Sequence, residues 1–541
     1  MRRFFLKLET TVTGGAILIA TASLISRVLG LLRDRLLFSS FGAGDTLDSY
    51  YVAFRLPDLI FNILVLGALS SSFIPLFVEY RERAAANGGD NTSAWELTNG
   101  VLSIILFVLA GFGLLGFLFA PYLVPLFAPG FDGQKLHDAI GLTRVMLLSI
   151  LLFGVSNIVG SVLNAFKRFF AFSVAPIFYN LGLIVGIVVF QPIFGLIGLA
   201  WGVVLGATLH LLVQVPSVMR LGYRFQWRLL WKNSGVRKVF RLMLPRTIGL
   251  SAVQIDQLVS TMIASTLVAG SVAIFNAAQN LQSFPINIFG VSLAISSFPV
   301  FSEAFARKQT PVFVAEFSKV FRRILFYVVP VSVLMLLLRA HIVRLVLGAG
   351  SFDWNATILT AQSLGFFSLS LFAQSLIPML ARSFYALHDT VTPARVSVVT
   401  VVLNILGSLF LSRHYGVMGL ALSFAIVSSI HMVLLLTLLR WRVGDLDDNT
   451  ILASTIRIII GSGIMAAAVW ATLQLFAHGV NQSTFMGIFI QGAGAACVGV
   501  IVYIVVAMLF RFNEVALIAS WLRRARHVLL NGKKKNSQPV D

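Results

Sequence analysis

Long apolar runs recur from one end of this chain to the other, and they limit what it can become more than any other feature. A helix crossing a bilayer needs about 20 mostly apolar residues, because lipid offers its backbone no other hydrogen-bond partners. On that template about fourteen segments are predicted, at 13–39, 48–79, 96–126, 138–165, 171–191, 195–219, 239–268, 272–302, 320–347, 357–386, 393–412, 416–440, 451–475 and 484–510. Pro57, Pro75, Pro285, Pro299, Pro330 and Pro378 fall inside them and predict kinks, which a bundle tolerates. Charged residues make up 11% and mean hydropathy is +0.90, whereas soluble domains carry about 25% charged residues. The chain is therefore predicted to be an all-α polytopic membrane protein.

The formal charge of +20 raises the question of nucleic acid. The basic residues lie mostly between apolar runs, however, and that distribution favours the positive-inside rule over a polynucleotide groove. Alternate loops differ sharply. One set holds Arg81, Arg83, Lys167, Arg168, Arg224, Arg307 and Arg440 among others, and the second holds little beyond Lys135, Arg339, Arg344 and Arg413. The first set is expected to be cytoplasmic, with both termini on that side. Cys497 stands alone in an apolar run, which leaves no intramolecular disulfide and no cysteine-based zinc site. Arg2-Arg3-Phe4-Phe5 and Ala20-Thr21-Ala22 imitate a targeting signal and a cleavage site. They read better as a basic anchor leading into the first helix. Residues 512–541 mix Trp521 and Leu522 with Arg523, Arg524 and Lys533–Lys535, the pattern of a basic amphipathic cytoplasmic tail.

The sequence repeats itself. Gly195-Leu196-Ile197-Gly198-Leu199-Ala200 matches Gly416-Val417-Met418-Gly419-Leu420-Ala421 at an offset of 221, which also relates His210 to His431 and Ala165 to Ala386. Ser71-Ser72-Phe73 matches Ser296-Ser297-Phe298 at an offset of 225. Two six-helix lobes follow, at 1–232 and 233–446, with two helices appended over 447–511. An offset of six helices keeps both copies in one orientation, making them parallel repeats, a plan common among alternating-access transporters.

Charge within the apolar runs is concentrated early. Ser23, Ser26, Arg27, Gly30, Arg33 and Asp34 share one helical face, and Asp48, Tyr51, Arg55, Asp58 and Asn62 continue the pattern on the next segment. A charge at the bilayer centre costs roughly 2.5–3.5 kcal/mol, so such a stripe needs a reason. Arginine stays ionised and its planar fork matches phosphate oxygens. One reading is a site for an anionic headgroup, with Asp34, Asp48 and Asp58 pairing with the arginines when it is empty. The other is an ion-pair network locking two helices. The matching region of the second lobe, Asn276, Gln279, Asn280, Ser283, Asn287 and Gly290, is polar without charge. Asp256 with Asn404 is a candidate cation site, so no cofactor is expected beyond coupling to a monovalent cation. Asp445-Leu446-Asp447 imitates a glycosyltransferase motif but sits in a short polar loop. No phosphate-binding loop, nucleophile elbow or zinc-protease motif is present, and the chain is not read as an enzyme.

Several stretches resemble the MurJ (MviN) family of lipid II flippases, within the multidrug/oligosaccharidyl-lipid/polysaccharide exporter superfamily. They are SRVLGLLRD at 26–34, FGAGDTLDSYYVAFRLPD at 41–58, GALSSSFIPLFVEY at 67–80, GSVAIFNAAQNLQSFP at 270–285 and ARSFYALHDTVTPARV at 381–396. The resemblance implies fourteen helices, two lobes around a cationic cavity, and a lipid-tail groove beside the two appended helices. It implies the inner membrane of a bacterium, lipid II as cargo and a role in peptidoglycan synthesis. By position, the family's functional arginines fall on Arg27 and Arg33, with Asp34, Asp48 and Arg55 as companions. This chain departs from the family pattern at Phe61, Asn62 and Asn280, where arginine is common. It departs again at Ser260 and Ser408, where some members have sodium-binding carboxylates. Expected partners are the lipid-linked saccharide, the bilayer and cell-wall synthesis enzymes. A polysaccharide-unit flippase, a multidrug exporter and a non-transporting scaffold for wall synthesis are the alternatives.

Overall fold

A computed structural model describes residues 12–66, 69–86, 91–479, 481, 484–512 and 514. The Arg2–Phe5 stretch and nearly all of the basic tail lie outside these residues. Helices α1 (Val12–Phe41), α2 (Asp45–Ala53), α3 (Arg55–Phe61), α4 (Leu69–Ala86), α5 (Thr92–Phe127), α6 (Gly133–Ala165), α7 (Phe169–Val185), α8 (Ile197–Leu212) and α9 (Ser234–Ser265) come first. Helices α10 (Ser271–Pro285), α11 (Ser292–Ala306), α12 (Thr310–Leu337), α13 (Trp354–Leu369), α14 (Leu371–Ala386), α15 (Val391–Tyr415), α16 (Val417–Val443), α17 (Asp448–Gly479) and α18 (Phe485–Leu509) follow. No strand occurs among the described residues, as the apolar pattern predicts. Among the described residues ten helices are long and apolar enough to cross a membrane, and the count is eleven if α13 and α14, bent by 46° at their junction, form one span. Fourteen is not reached on length and apolarity alone. The described residues of the remaining predicted segments, 13–39, 48–79 and 239–268, fall almost entirely within α1, α2 to α4 and the π-helical turn between them, and α9.

The chain divides into two compact units. The first comprises Met1–Asn276, Val346–Ala356 and Ile405–Leu420. Its core gathers Phe73, Phe77, Leu97, Val101, Ile105 and Val159 from α4, α5 and α6. Trp95 stacks on Phe166 with ring centroids 5.7 Å apart, and Phe77 lies against both. Lipid tails are as apolar as leucine, so such contacts hold by close packing rather than by excluding water. Backbones also approach closely where α7, with the π-helical turn Gly186–Phe190 that continues it, meets α8. A Cβ added to Gly182 would stand 2.3 Å from Cα of Gly206, and one on Gly186 would stand 2.5 Å from Cα of Gly202. Only residues without side chains allow backbones to meet like this.

The second unit comprises Ala277–Leu345, Thr357–Asn404 and Ala421–Asp541. Within it α17 lies along both α18 and α12, and Tyr503 donates to the carbonyl of Phe326 at 3.0 Å. Asp389 caps the start of α15. Its carboxylate accepts from the N–H groups of Val391 and Thr392 and from the Thr392 hydroxyl, and it pairs with Arg442 at the end of α16. Burial works to raise this carboxyl, but the Thr392 donors, Arg442 and the Val391 N–H outweigh it and hold the group below the usual carboxylate range.

The sequence repeat recurs in the backbone. Gly195 (φ 66°) and Gly416 (φ 56°) both turn into the following helix in a left-handed conformation that favours glycine. Three residues on, a Cβ on Gly198 would lie 2.4 Å from the carbonyl oxygen of Phe190, and one on Gly419 would lie 2.3 Å from that of Leu411. Lys167 and His388 each have φ of 58° just past a helix end. Two π-helical stretches, Asn62–Leu66 and Ile286–Val291, also recur at nearly the same spacing.

Candidate functional site

The charged stripe of the first segment comes together inside the first unit. Asp34 is 7% exposed and accepts from Nε of its neighbour Arg33 at 3.0 Å and from Nη2 at 2.7 Å. Adjacent residues on a helix do not face one another, so the long arginine side chain must fold back to bring both donors to the one oxygen, Oδ1. Nη1 of Arg33 reaches Oδ1 of Asn180 on α7 at 3.2 Å, and Nδ2 of Asn180 donates to the carbonyl and hydroxyl of Ser26, each at 3.1 Å. Ser26, Arg33 and Asp34 therefore form one cluster, with Asn180 as the bridge. Asn180 was not among the residues singled out from the sequence. Its signal was there, a lone amide in the apolar run that follows Pro176. Arg27 is half-buried on the same helix.

Asp48 is placed differently from expectation. It pairs with Lys135 of α6 at 2.8 Å rather than with an arginine, and it accepts from the N–H groups of Gly270 at 2.8 Å and Ala273 at 2.9 Å. At 1% exposure its carboxylate neutralises a buried lysine and caps the first turn of α10. Lys135, read from sequence as an isolated loop cation, also pairs with Asp45 at 2.6 Å.

Arg55 donates to Asn276 at 2.7 Å, and Nε of the same arginine is buried without a partner. Asn62, one turn further on, donates to Gln254 at 3.2 Å. Asp58, expected to pair with an arginine, is exposed; it interacts electrostatically with Arg55 on its own helix but makes no ion pair within 4 Å and no side-chain hydrogen bond with any described residue. It lines a cavity of about 240 Å³ with aromatic walls.

Asn280 is exposed in the second unit, where its carbonyl accepts from Ser283 at 2.8 Å. Asp256 is half-buried in the first unit. Asn404, in the second, is 4% exposed and accepts from the Ser423 hydroxyl at 3.0 Å. No group of three or more His, Cys, Asp or Glu suited to a metal ion occurs among the described residues.

The arginine–carboxylate–amide cluster sits in a fold of apolar membrane-length helices that solved structures share. A solved structure described as "Lipid II flippase MurJ, inward closed conformation" superposes with a TM-score of 0.76 at 22% identity, over 92% of this chain and 100% of its own. An inward-facing multidrug resistance MATE family transporter of the MOP superfamily superposes with a TM-score of 0.64 at 15% identity, over 80% of this chain and 99% of its own. At those identities the likeness is one of fold. The family model described as "Lipid II flippase MurJ" matches residues 37–490. A probable lipid II flippase MurJ of Buchnera aphidicola subsp. Schizaphis graminum is 31% identical over 76% of this chain and 80% of its own. The lipid II flippase MurJ of Burkholderia cenocepacia is 29% identical over 78% and 82%. This chain belongs to the lipid II flippase MurJ family.

Proposed function

We propose that this protein moves lipid II, a polyprenyl-diphosphate-linked peptidoglycan precursor, from the inner to the outer leaflet of a bacterial cytoplasmic membrane. The observation that carries this reading is the family match across residues 37–490. The physical chemistry of the first unit supports it. A diphosphate needs permanent cations with divergent N–H donors in a site shielded from water. Arg27 and Arg33 are the binding residues in this reading, with Arg55 as a third donor and Asp34, Asn180 and Ser26 orienting Arg33. Asp48 holds the adjoining helices through Lys135, and Asn280 is the polar counterpart in the second copy of the repeat. Transport proceeds by alternating access of the lobes 1–232 and 233–446, with residues 447–511 guiding the lipid tail. The basic tail and both termini lie on the cytoplasmic side, following the asymmetry of lysine and arginine between loops. The protein transports and does not catalyse. Asp256 and Asn404 are the proposed contacts for a coupling cation, and cell-wall synthesis enzymes are the proposed neighbours.

The test is exposure of labelled lipid II on the far leaflet of proteoliposomes. Wild-type protein is expected to raise it above empty vesicles, and Arg27→Ala or Arg33→Ala to lower the rate at least tenfold. Equal exposure with and without protein would sink the reading.

A further inference from the structure

The cavity beside Asp58 differs in chemistry from the arginine cluster. Its walls are Phe54 and Phe61 of α3, Phe153 of α6, Tyr179 of α7 and His210 of α8. Phe153 is the hub, with ring centroids 5.7 Å from Phe61, 5.1 Å from Tyr179 and 5.5 Å from His210. His210 is fixed from behind, its Nδ1 lying 2.7 Å from the Ser156 hydroxyl. Into this ring-lined space opens Asp58, the one carboxylate of the two charged segments whose binding capacity is unused. Asp34 is committed to Arg33, and Asp48 to Lys135 and two backbone N–H groups. Arg55, three residues before Asp58, turns its guanidinium to Asn276.

Asp58 feels the charge of Arg55 on its own helix, but that guanidinium is hydrogen-bonded to Asn276, so the carboxylate oxygens stay open to the cavity, and ionisable residues inside membrane segments mark functional sites. Aromatic rings line the same space, and a ring face disfavours an anion and attracts a cation through its quadrupole, the combination that recognises organic ammonium groups. A hydrated metal ion finds no second carboxylate here, and an aliphatic chain finds apolar walls. We infer that this cavity binds a primary ammonium group carried on the peptide of the lipid-linked cargo, with Asp58 as its ion-pair partner and the surrounding rings as its cage. The inference rests on the lipid II reading and deepens it, since the arginines hold the diphosphate while Asp58 reads the peptide.

The experiment compares lipid II bearing a free side-chain amine with the same lipid acetylated on that amine, at subsaturating concentration in proteoliposomes. Wild-type protein is expected to move the free-amine form about tenfold faster. In Asp58→Asn that ratio falls to about one, and in Phe153→Leu it takes an intermediate value. Added n-butylamine slows only the free-amine form in wild type, because both compete for one pocket. Equal rates for the two lipids in wild type would overturn the inference while leaving the lipid II reading intact. Transport of neither lipid would overturn both. Butylamine binding that depends on Asp58 without any discrimination between the lipids would assign the pocket to a free amine and overturn the cargo assignment.

Discussion

Arg55 donates from Nη2 to Oδ1 of Asn276 at 2.7 Å, and the two residues stand 221 positions apart, the offset that separates Gly195 from Gly416. An arginine thus meets the residue that holds its own place in the second copy of the repeat. The contact is neutral on one side, so only one buried charge has to be solvated there. Asn276→Arg would oppose two guanidinium groups and is expected to lower stability by about 3–5 kcal/mol, the cost of an uncompensated buried charge. The exchanged pair, Arg55→Asn with Asn276→Arg, should recover most of that loss. Thermal unfolding of the three proteins in one detergent measures the recovery. No recovery would show that the two sites are not interchangeable.

Asp48 and Asp45 share Lys135, but only Asp48 is buried, with side-chain exposures of 2% against 63%. Asp48→Asn leaves the lysine short of a buried counter-charge and weakens two charge-assisted hydrogen bonds. It is expected to cost about 3 kcal/mol, whereas Asp45→Asn, an exposed pair, should cost under about 1 kcal/mol. Melting temperatures of the two variants distinguish these outcomes.

Gly198 and Gly419 lie under carbonyl oxygens of the preceding helix, at 2.4 Å and 2.3 Å from where a Cβ would stand. Backbone must shift to admit any side chain. Gly198→Ala and Gly419→Ala are each expected to destabilise by ~2 kcal/mol or more, while Gly463→Ala, with nothing within 4 Å, should be near neutral or stabilising. Comparable yields and melting temperatures for all three would contradict the assignment of tight contacts.

The Asp389 clamp predicts an acid limb. Its folded carboxyl titrates below the ordinary aspartate range because of Thr392, Arg442 and Val391 acting against burial, and an unfolded aspartate titrates near about 3.9. A depressed folded pKa gives stability that is present above the unfolded value and is lost as pH falls through the folded one. Wild type should therefore melt higher than Asp389→Asn from neutral pH down to about pH 4, and the two should converge below it. A constant difference down to pH 2.5 would place the effect in hydrogen bonding rather than in charge.

Apolar run length was enough to find the helices, because in lipid a helix is one of very few ways to satisfy the backbone. Helical spacing was enough to put Ser26, Arg33 and Asp34 on one face. It said nothing of Asn180, since the partner that joins Ser26 to Arg33 comes from a helix 154 residues away and depends on how two helices cross. The same limit explains Asp48. Local spacing offered arginines as partners, while its real ones are Lys135 and the backbone at 270–273, all distant in sequence. Phe61 and Asn62 looked from the sequence like missing charges. In the structure Asn62 has a partner of its own in Gln254, and Phe61 is part of an aromatic wall.

The contact of α7 with α8 carries a consequence for movement. Where Gly182 and Gly186 lie against Gly206 and Gly202, the two backbones touch with no side chains between them to rearrange. Such a hairpin has no low-energy way to slide or twist along its own seam, so it travels as a single plank. Bending within the first unit must then fall outside this seam, and the π-helical turn at Asn62–Leu66 is a break in helical geometry where it can.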